Sequence, residues 1–300
     1  MLTFFTTAKP FQGHSGIIQR NALKSWKLLH PEIEIILFGD EGGTAEVCAE
    51  LGLRHEPHVE RCPTGQKYIR HLFSRAQEIA RNEFLCYSNC DIVLMSDFWA
   101  AFERVRQRNG RFLLIGKRWD TDLTESLNVK LPAWEERLRA IAVHQGRQRY
   151  YEIDYFLFPR GLFADIPPLV NGRIYWDHWL VWKARSLSAP VIDASHAVMA
   201  VHQNHDYGYH AAGKDGVFED EISRRNYELA GNGKHLCTYE DATHIMTRSG
   251  LLLRTPWRKK FHEAKRLSFH IFVHKTLPIR KAIGLRKESL RKLFSRDSMT

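Results

Sequence analysis

At 300 residues, with 44% apolar and 26% charged side chains, the chain has the make-up of an ordinary globular protein with a sizeable core, which excludes a disordered or low-complexity protein. Its net charge of +10 is uneven: from Arg254 to Thr300 there are 14 Lys and Arg against three acidic residues, which leaves the preceding residues at −1. Five scattered cysteines, without C-x-x-C spacing, argue against a disulfide framework or structural zinc site and for a reducing cytoplasm.

The first ten residues carry no basic leader and only a short apolar run, so they read as a buried strand over 2–6 rather than a signal peptide or spanning helix. Ile17, Ile18, Ala22, Leu23, Trp26 and Leu29 recur at helical spacing, and 32–38 is a second strand ending in a glycine-rich turn at 39–43. A short helix over 45–51, a third strand at 54–56 and a helix over 66–79 follow. Residues 84–87 form a strand that stops at Ser88-Asn89-Cys90-Asp91, the apolar run resumes over 92–95, and Ser96 is placed to cap a helix over 97–107. Further strands are expected at 111–116, 154–158, 191–193 and 198–201, with helices at 133–143 and 176–185. Alternating strands and helices predict an α/β domain, its sheet mixed but mainly parallel and flanked by helices, over 1–250. A basic amphipathic helical extension is expected over 251–300.

In such sheets ligands bind outside the carboxyl ends of the strands. Polar residues gather at those ends: Thr6 and Thr7, Asp40, Asn89 and Asp91, and Lys117 with Arg118. Asn89 and Asp91 also suit a plain turn, since both residue types favour turns. Lys67, Lys117, Arg118, Arg173 and Lys214 are candidates to hold phosphate, although most such residues only keep a surface solvated. The glycine-rich stretch 208–216, which contains Lys214, lacks the spacing of a phosphate-binding Walker loop and reads either as a segment that closes over a ligand or as a surface loop.

The run Phe84 to Leu94, with Asn89-Cys90-Asp91 at its centre and a strand-helix-strand start before it, resembles the D-x-D region of GT-A nucleotide-diphospho-sugar transferases over roughly residues 1–247. The resemblance implies a glycosyltransferase that moves a sugar from a nucleoside diphosphate donor to a hydroxyl of a glycan or lipid-linked acceptor. It implies Mn²⁺ or Mg²⁺ at Asp91, which matches the last acidic position of the motif, and a ribose or metal-water contact at Asn89, where the family's first carboxylate is missing. His202 is implied as a further metal ligand and Asp40 as a contact to the base, with Thr6 and Ala8 nearby. In members that invert the anomeric centre a carboxylate deprotonates the acceptor, a role for which Asp177 is the first candidate and Asp154 the second. Asp177 reads equally as the cap of a helix whose Trp176, Trp179 and Trp182 pack in the core, and His202 equally as a solvated or hydrogen-bonded histidine. Two other readings stay open. One is a non-catalytic nucleotide-sugar or glycan-binding module, consistent with Asn89; the other is a sugar nucleotidyltransferase, whose glycine-rich, lysine-containing loop is missing from 6–16.

The tail from about 255 mixes Lys and Arg with Trp, Phe, Leu and Ile, as helices lying on an anionic bilayer do, and equally suits a helix packed on the body. This places the protein in the cytoplasm with a peripheral association at the inner membrane face as an expectation. No nucleic-acid-binding motif accompanies the charge, so nucleic acid is not expected as a partner.

Overall fold

Consecutive aromatic residues on the first strand show how the core is divided. Phe4 packs with Trp26 and Phe98 in one apolar cluster, and Phe5 with Phe73 and Phe158 in another. Successive strand side chains point to opposite faces, so one sheet with helices on both sides accounts for both. The computed structural model describes residues 1–108, 110–205 and 220–254, with only the backbone of 150 and 151. The stretch 208–216, including Lys214, and the basic extension from 255 onward lie outside the described residues.

In chain order the elements are β1 (Leu2–Thr7), α1 (Gly13–Leu29), β2 (Glu34–Phe38), α2 (Thr44–Leu51), β3 (Arg54–Glu56) and α3 (Ile69–Ile79). Next come β4 (Phe84–Ser88), β5 (Ile92–Val93), α4 (Ser96–Arg106), β6 (Leu113–Ile115), β7 (Lys117–Thr121), α5 (Trp134–Gln145) and β8 (Arg147–Ile153). The last are β9 (Tyr155–Pro159), α6 (Trp176–Ser186), β10 (Val191–Asp193), β11 (Ala200–Gln203), α7 (Glu221–Leu229), β12 (His244–Thr247) and β13 (Gly250–Leu253). The main sheet has nine strands in the order β13-β12-β10-β6-β9-β4-β1-β2-β3. β3, β2, β1 and β4 are mutually parallel, as are β6, β10 and β12; β9 runs antiparallel between β4 and β6, and β13 antiparallel at the edge. The expected α/β class with a mixed, mainly parallel sheet therefore holds.

Apolar residues of α1, α2 and α4 join the cluster around Phe4, and those of α3 and α6 the cluster around Phe5. A second sheet, β5-β11-β7-β8, was not expected. β11 pairs antiparallel with β5 and parallel with β7, over a small core of Val93, Met95, Leu123, Leu138, Ala142 and Val201. The strand expected at 198–201 is β11, displaced by two residues, so His202 lies inside the strand rather than after it. β13 crosses the boundary drawn at residue 250. Ser96 does not cap α4: it is the helix's first residue, and its backbone N–H donates to Glu135 at 3.0 Å. No helix among the described residues is long and apolar enough to cross a membrane.

α1 ties the main sheet to the polar one. Trp26 donates its indole N–H to the Ile92 carbonyl at 2.8 Å, and Ser25 Oγ accepts from Leu94 N at 3.2 Å. On the same helix Asn21 donates to Gln203 Oε1 at 2.8 Å, while Gln203 Nε2 donates to the Ile18 carbonyl at 2.8 Å. β5 and β11 are thus held by buried, satisfied polar groups on a packed helix, which restricts how far the residues beside them can move.

Candidate functional site

Asp91 stands between β4 and β5, at the carboxyl end of the main sheet's central parallel strands. Its neighbour Cys90 is buried among the apolar residues around Phe4, which anchors the motif. The Asp91 carbonyl accepts from Gln203 N at 3.2 Å and from Gln203 Nε2 at 3.1 Å, binding the motif to β11. Because β11 pairs His202 with Ile92 on one side and with Asp120 on the other, β11, β7 and the turn leading into β5 deliver His202, Asp120 and Asp91 to one place.

Asp91 Oδ2 lies 3.7 Å from His202 Nε2 and 3.2 Å from His205 Nε2, and one ligand atom from each of the three residues falls within 4.8 Å of the others. Asp91 Oδ1 is buried and has no hydrogen-bond partner among the described residues. Burial opposes the charge on Asp91, yet His202, His205 and Lys9 outweigh it and hold the carboxyl well below the usual range. An ionised carboxylate with an unused buried oxygen, facing two imidazoles, fits a divalent cation: mixed oxygen and nitrogen donors suit Mn²⁺ and its neighbours. Lys9 approaches from the loop after β1, its Nζ 3.4 Å from His205 Nδ1. Buried Gln19 fixes its backbone by accepting from Lys9 N at 2.6 Å and donating to the Lys9 carbonyl at 3.0 Å.

Asn89 faces away from this cluster. Its Nδ2 donates to Asp154 Oδ1 at 2.6 Å, and its Oδ1 lies 3.2 Å from the Tyr87 hydroxyl. The other oxygen of Asp154 accepts from Arg118 Nη1 at 2.9 Å, while Arg118 Nε donates to Asp120 Oδ1 at 2.8 Å. Asp154 is therefore buried behind the motif with both oxygens engaged, which removes it as an acceptor-side base. Burial raises its pKa despite Arg118. Arg118 is likewise corrected from a phosphate holder to a buried cation joining Asp154 to Asp120. An asparagine at 89 has a local reason: an aspartate there would set two carboxylates against each other at hydrogen-bond distance.

Lys117 and Arg118 are adjacent on β7 and diverge. The Lys117 ammonium sits 4.4 Å from the centre of the Tyr239 ring, and burial lowers its pKa, with Asp193 and Glu240 opposing. No hydrogen bond or ion pair among the described residues joins Lys117 to Asp91. Arg173 is buried and paired with Asp220 at 2.5 Å, at the start of α7, which removes it from the phosphate candidates.

The residues after β1 and β2 form a second polar group. Lys67 is buried: its Nζ contacts Thr7 Oγ1, lies 2.5 Å from Glu41 Oε1 and donates to the Ala8 carbonyl at 3.4 Å. Burial lowers its pKa against the pull of Glu41. Gly39 has φ +107, and a Cβ there would lie 2.3 Å from Glu41 Oε2 and 2.8 Å from Lys67 Nζ, so only glycine lets this pair close. Asp40 is exposed and bound by Arg61 at 2.6 Å. Thr6 is fully buried, and it is Thr7 that meets Lys67.

Asp177 lies in the first turn of α6, partly exposed, with its carboxylate 3.8 Å from His178 Nε2. No hydrogen bond or ion pair among the described residues joins it to Asp91. Trp176 and Trp179 are 5% and 3% exposed, and Trp176 packs edge-on against Tyr87 at 5.3 Å, so these rings belong to the core rather than to a sugar-stacking surface. Sequence reasoning missed Asp120, His205, Lys9 and Glu41 as site residues. Of these, His205 carried a signal, three residues beyond His202 in the same polar run.

No family model matches the chain, and no curated protein matches it. Among solved structures it is similar to glucosyl-3-phosphoglycerate synthase from Mycobacterium tuberculosis in complex with Mn²⁺, uridine diphosphate and phosphoglyceric acid, at 12% identity and a TM-score of 0.47, over 77% of this chain and 78% of that one. It is also similar to S. aureus TarS 1–349 in complex with UDP-GlcNAc, at 12% identity and a TM-score of 0.47, over 76% of this chain and 64% of that one. A third is the mannosyltransferase PcManGT from Pyrobaculum calidifontis in complex with GDP-Man and Mn²⁺, at 12% identity and a TM-score of 0.45, over 70% and 59%. Other matches to TarS span 22% and 36% of those chains.

Proposed function

We propose that the protein is a glycosyltransferase that moves a sugar from a nucleoside diphosphate sugar to a hydroxyl group, on a glycan or lipid-linked acceptor. The observation that carries this reading is Asp91 at the carboxyl end of parallel strands, its Oδ2 facing His202 and His205 and its buried Oδ1 without a hydrogen-bond partner among the described residues. These three residues would hold Mn²⁺ or Mg²⁺, which when bound supplies positive charge against the departing diphosphate. Lys9, beside His205, adds a fixed cation on the same side and needs no rearrangement as charge develops there. The Lys67–Glu41 pair and the backbone after β1 give the nucleoside end a rigid floor.

Asp177 is proposed as the acceptor-side base of an inverting reaction. Its carboxylate would take the proton of the attacking hydroxyl as the new glycosidic bond forms and the bond to the diphosphate breaks. Its carboxylate is only partly buried, and the helix start that carries it is fixed against Tyr87 through Trp176. Asp177→Asn is expected to lower kcat while leaving nucleotide affinity unchanged; loss of nucleotide binding instead would remove the assignment.

The test of the whole reading is thermal denaturation with a panel of nucleoside diphosphates, with and without Mn²⁺, on the wild type and Asp91→Ala. Metal-dependent stabilisation by one nucleotide, lost in the variant, is the expected result; stabilisation that ignores both metal and Asp91 would overturn it. A second reading, a non-catalytic binding module, draws on Asn89, whose amide is committed to Asp154 and Tyr87. Slow donor hydrolysis without acceptor supports the transferase, and its complete absence the binder. The basic tail is proposed to associate with anionic lipid, on the cytoplasmic side; flotation with acidic vesicles that survives deletion of residues 255–300 would refute this.

A further inference from the structure

Two histidines face Asp91, and their far sides differ in charge. Behind His205, 3.4 Å from its Nδ1, is the Lys9 ammonium. Behind His202, 3.1 Å from its Nδ1, is Asp120 Oδ1. A neutral imidazole carries one proton, and the nitrogen without it is the one that can ligate. A carboxylate favours an N–H facing it; an ammonium favours a bare nitrogen facing it. In the metal-free protein the surroundings therefore favour a proton on Nδ1 in His202, leaving Nε2 bare towards Asp91, and a proton on Nε2 in His205, where it reaches Asp91 Oδ2 at 3.2 Å; His202 can ligate as it stands, whereas His205 would first give up that proton.

We infer that Asp120 is a positioning residue of the proposed metal site, presenting Nε2 of His202 as the preset nitrogen ligand. The inference rests on the metal reading above and concerns which residue makes it work. Asp120 is held by Arg118, whose Nε donates to its Oδ1 at 2.8 Å, while Arg149 Nε is only an ion-pair neighbour of Oδ2 at 3.2 Å. The register that sets His202 opposite Asp120 in β7 places the pair by backbone pairing rather than by flexible side chains. The imidazole N–H is off-axis for the carboxylate oxygen, so the contact is one of charge and dipole at hydrogen-bond distance. Arg118 also grips Asp154, which grips Asn89, so one chain of contacts runs behind both positions of the motif. An outer carboxylate of this kind sets the tautomer and orientation of a ligating histidine, and its loss typically lowers metal affinity by about 10–100-fold.

The experiment uses the whole 300-residue chain with Mn²⁺ as the probe. Mn²⁺ affinity is measured by electron paramagnetic resonance without nucleotide, and the His202 tautomer by long-range nitrogen-proton correlation on the metal-free protein. Asp120→Ala is expected to weaken Mn²⁺ binding by about 10–100-fold and to mix the His202 tautomers. Asp120→Asn keeps an acceptor oxygen and should recover part of both. Arg149→Gln removes an ion pair from the same carboxylate without touching His202; it should cost stability and leave Mn²⁺ affinity within about threefold, well inside the 10–100-fold range expected for Asp120→Ala. Unchanged affinity and tautomer in Asp120→Ala, or an equal loss in Arg149→Gln, would overturn the inference while leaving the metal site standing. Absence of Mn²⁺ binding by the wild type would sink the metal reading and this inference with it.

Discussion

The nine-stranded sheet and the four-stranded sheet bury side chains of opposite character. Strands β1, β2, β4 and β9 are mostly apolar and almost wholly buried on both faces, so the large sheet is held chiefly by non-directional burial. β7 reads Lys-Arg-Trp-Asp-Thr and β8 begins Arg-Gln-Arg, and their partly buried charges pair with one another. The difference divides labour: the large sheet supplies stability, and the small one orients groups whose charges would be costly unless each has a partner. Asp91 sits where the two meet.

Four single substitutions and one double variant test that division, beginning with the largest effect. Phe5→Ala in the main core should destabilise by about 3–5 kcal/mol through lost burial and the cavity left behind, read as a lower midpoint in chemical denaturation. A loss below about 1 kcal/mol would mean that the large sheet is not the main source of stability. Asp91→Ala should do the reverse, with stability held and metal-dependent transfer reduced by about 10²-fold or more; equal losses in stability and activity would erase the contrast. Asn89→Asp restores the acidic pattern in sequence yet faces the Asp154 oxygen now 2.6 Å from the amide nitrogen, so it should cost about 1–3 kcal/mol and not improve activity. The double variant Asn89→Asp with Asp154→Asn restores an amide-carboxylate pair, and recovery of the denaturation midpoint is expected. Lys117→Ala should lose about 0.5–1 kcal/mol from the contact with Tyr239 and leave nucleotide affinity unchanged; weaker nucleotide binding would return Lys117 to the site.

Much of the large sheet could be read from the chain. Apolar runs at 2–6, 84–87 and 154–158 and helical spacing from Ile17 to Leu29 mark β1, β4, β9 and α1 within a residue or two over most of their ends. β7 and β8 escaped because charged strands leave neither an apolar run nor clean alternation, and β12 and β13 because their mostly part-exposed residues give no buried face to read. In the site, Asp91 and His202 were visible as polar residues near strand ends. The roles expected of Arg118, Lys117 and Asp154 were not those found, since a charged residue's type does not say whether it will meet a ligand or another buried charge.

What the sequence determined by itself was the layered α/β core and the position of Asp91 at a strand end, because burial and chain reversal are encoded in local composition. Only the tertiary structure decided that Asp91 would face His202 and His205, that Asp120 would stand behind His202, and that Arg118 would bind Asp154 and Asp120 instead of a phosphate. Those contacts join residues far apart in the chain through strand register, and a charge gains its partner only after the backbone has paired.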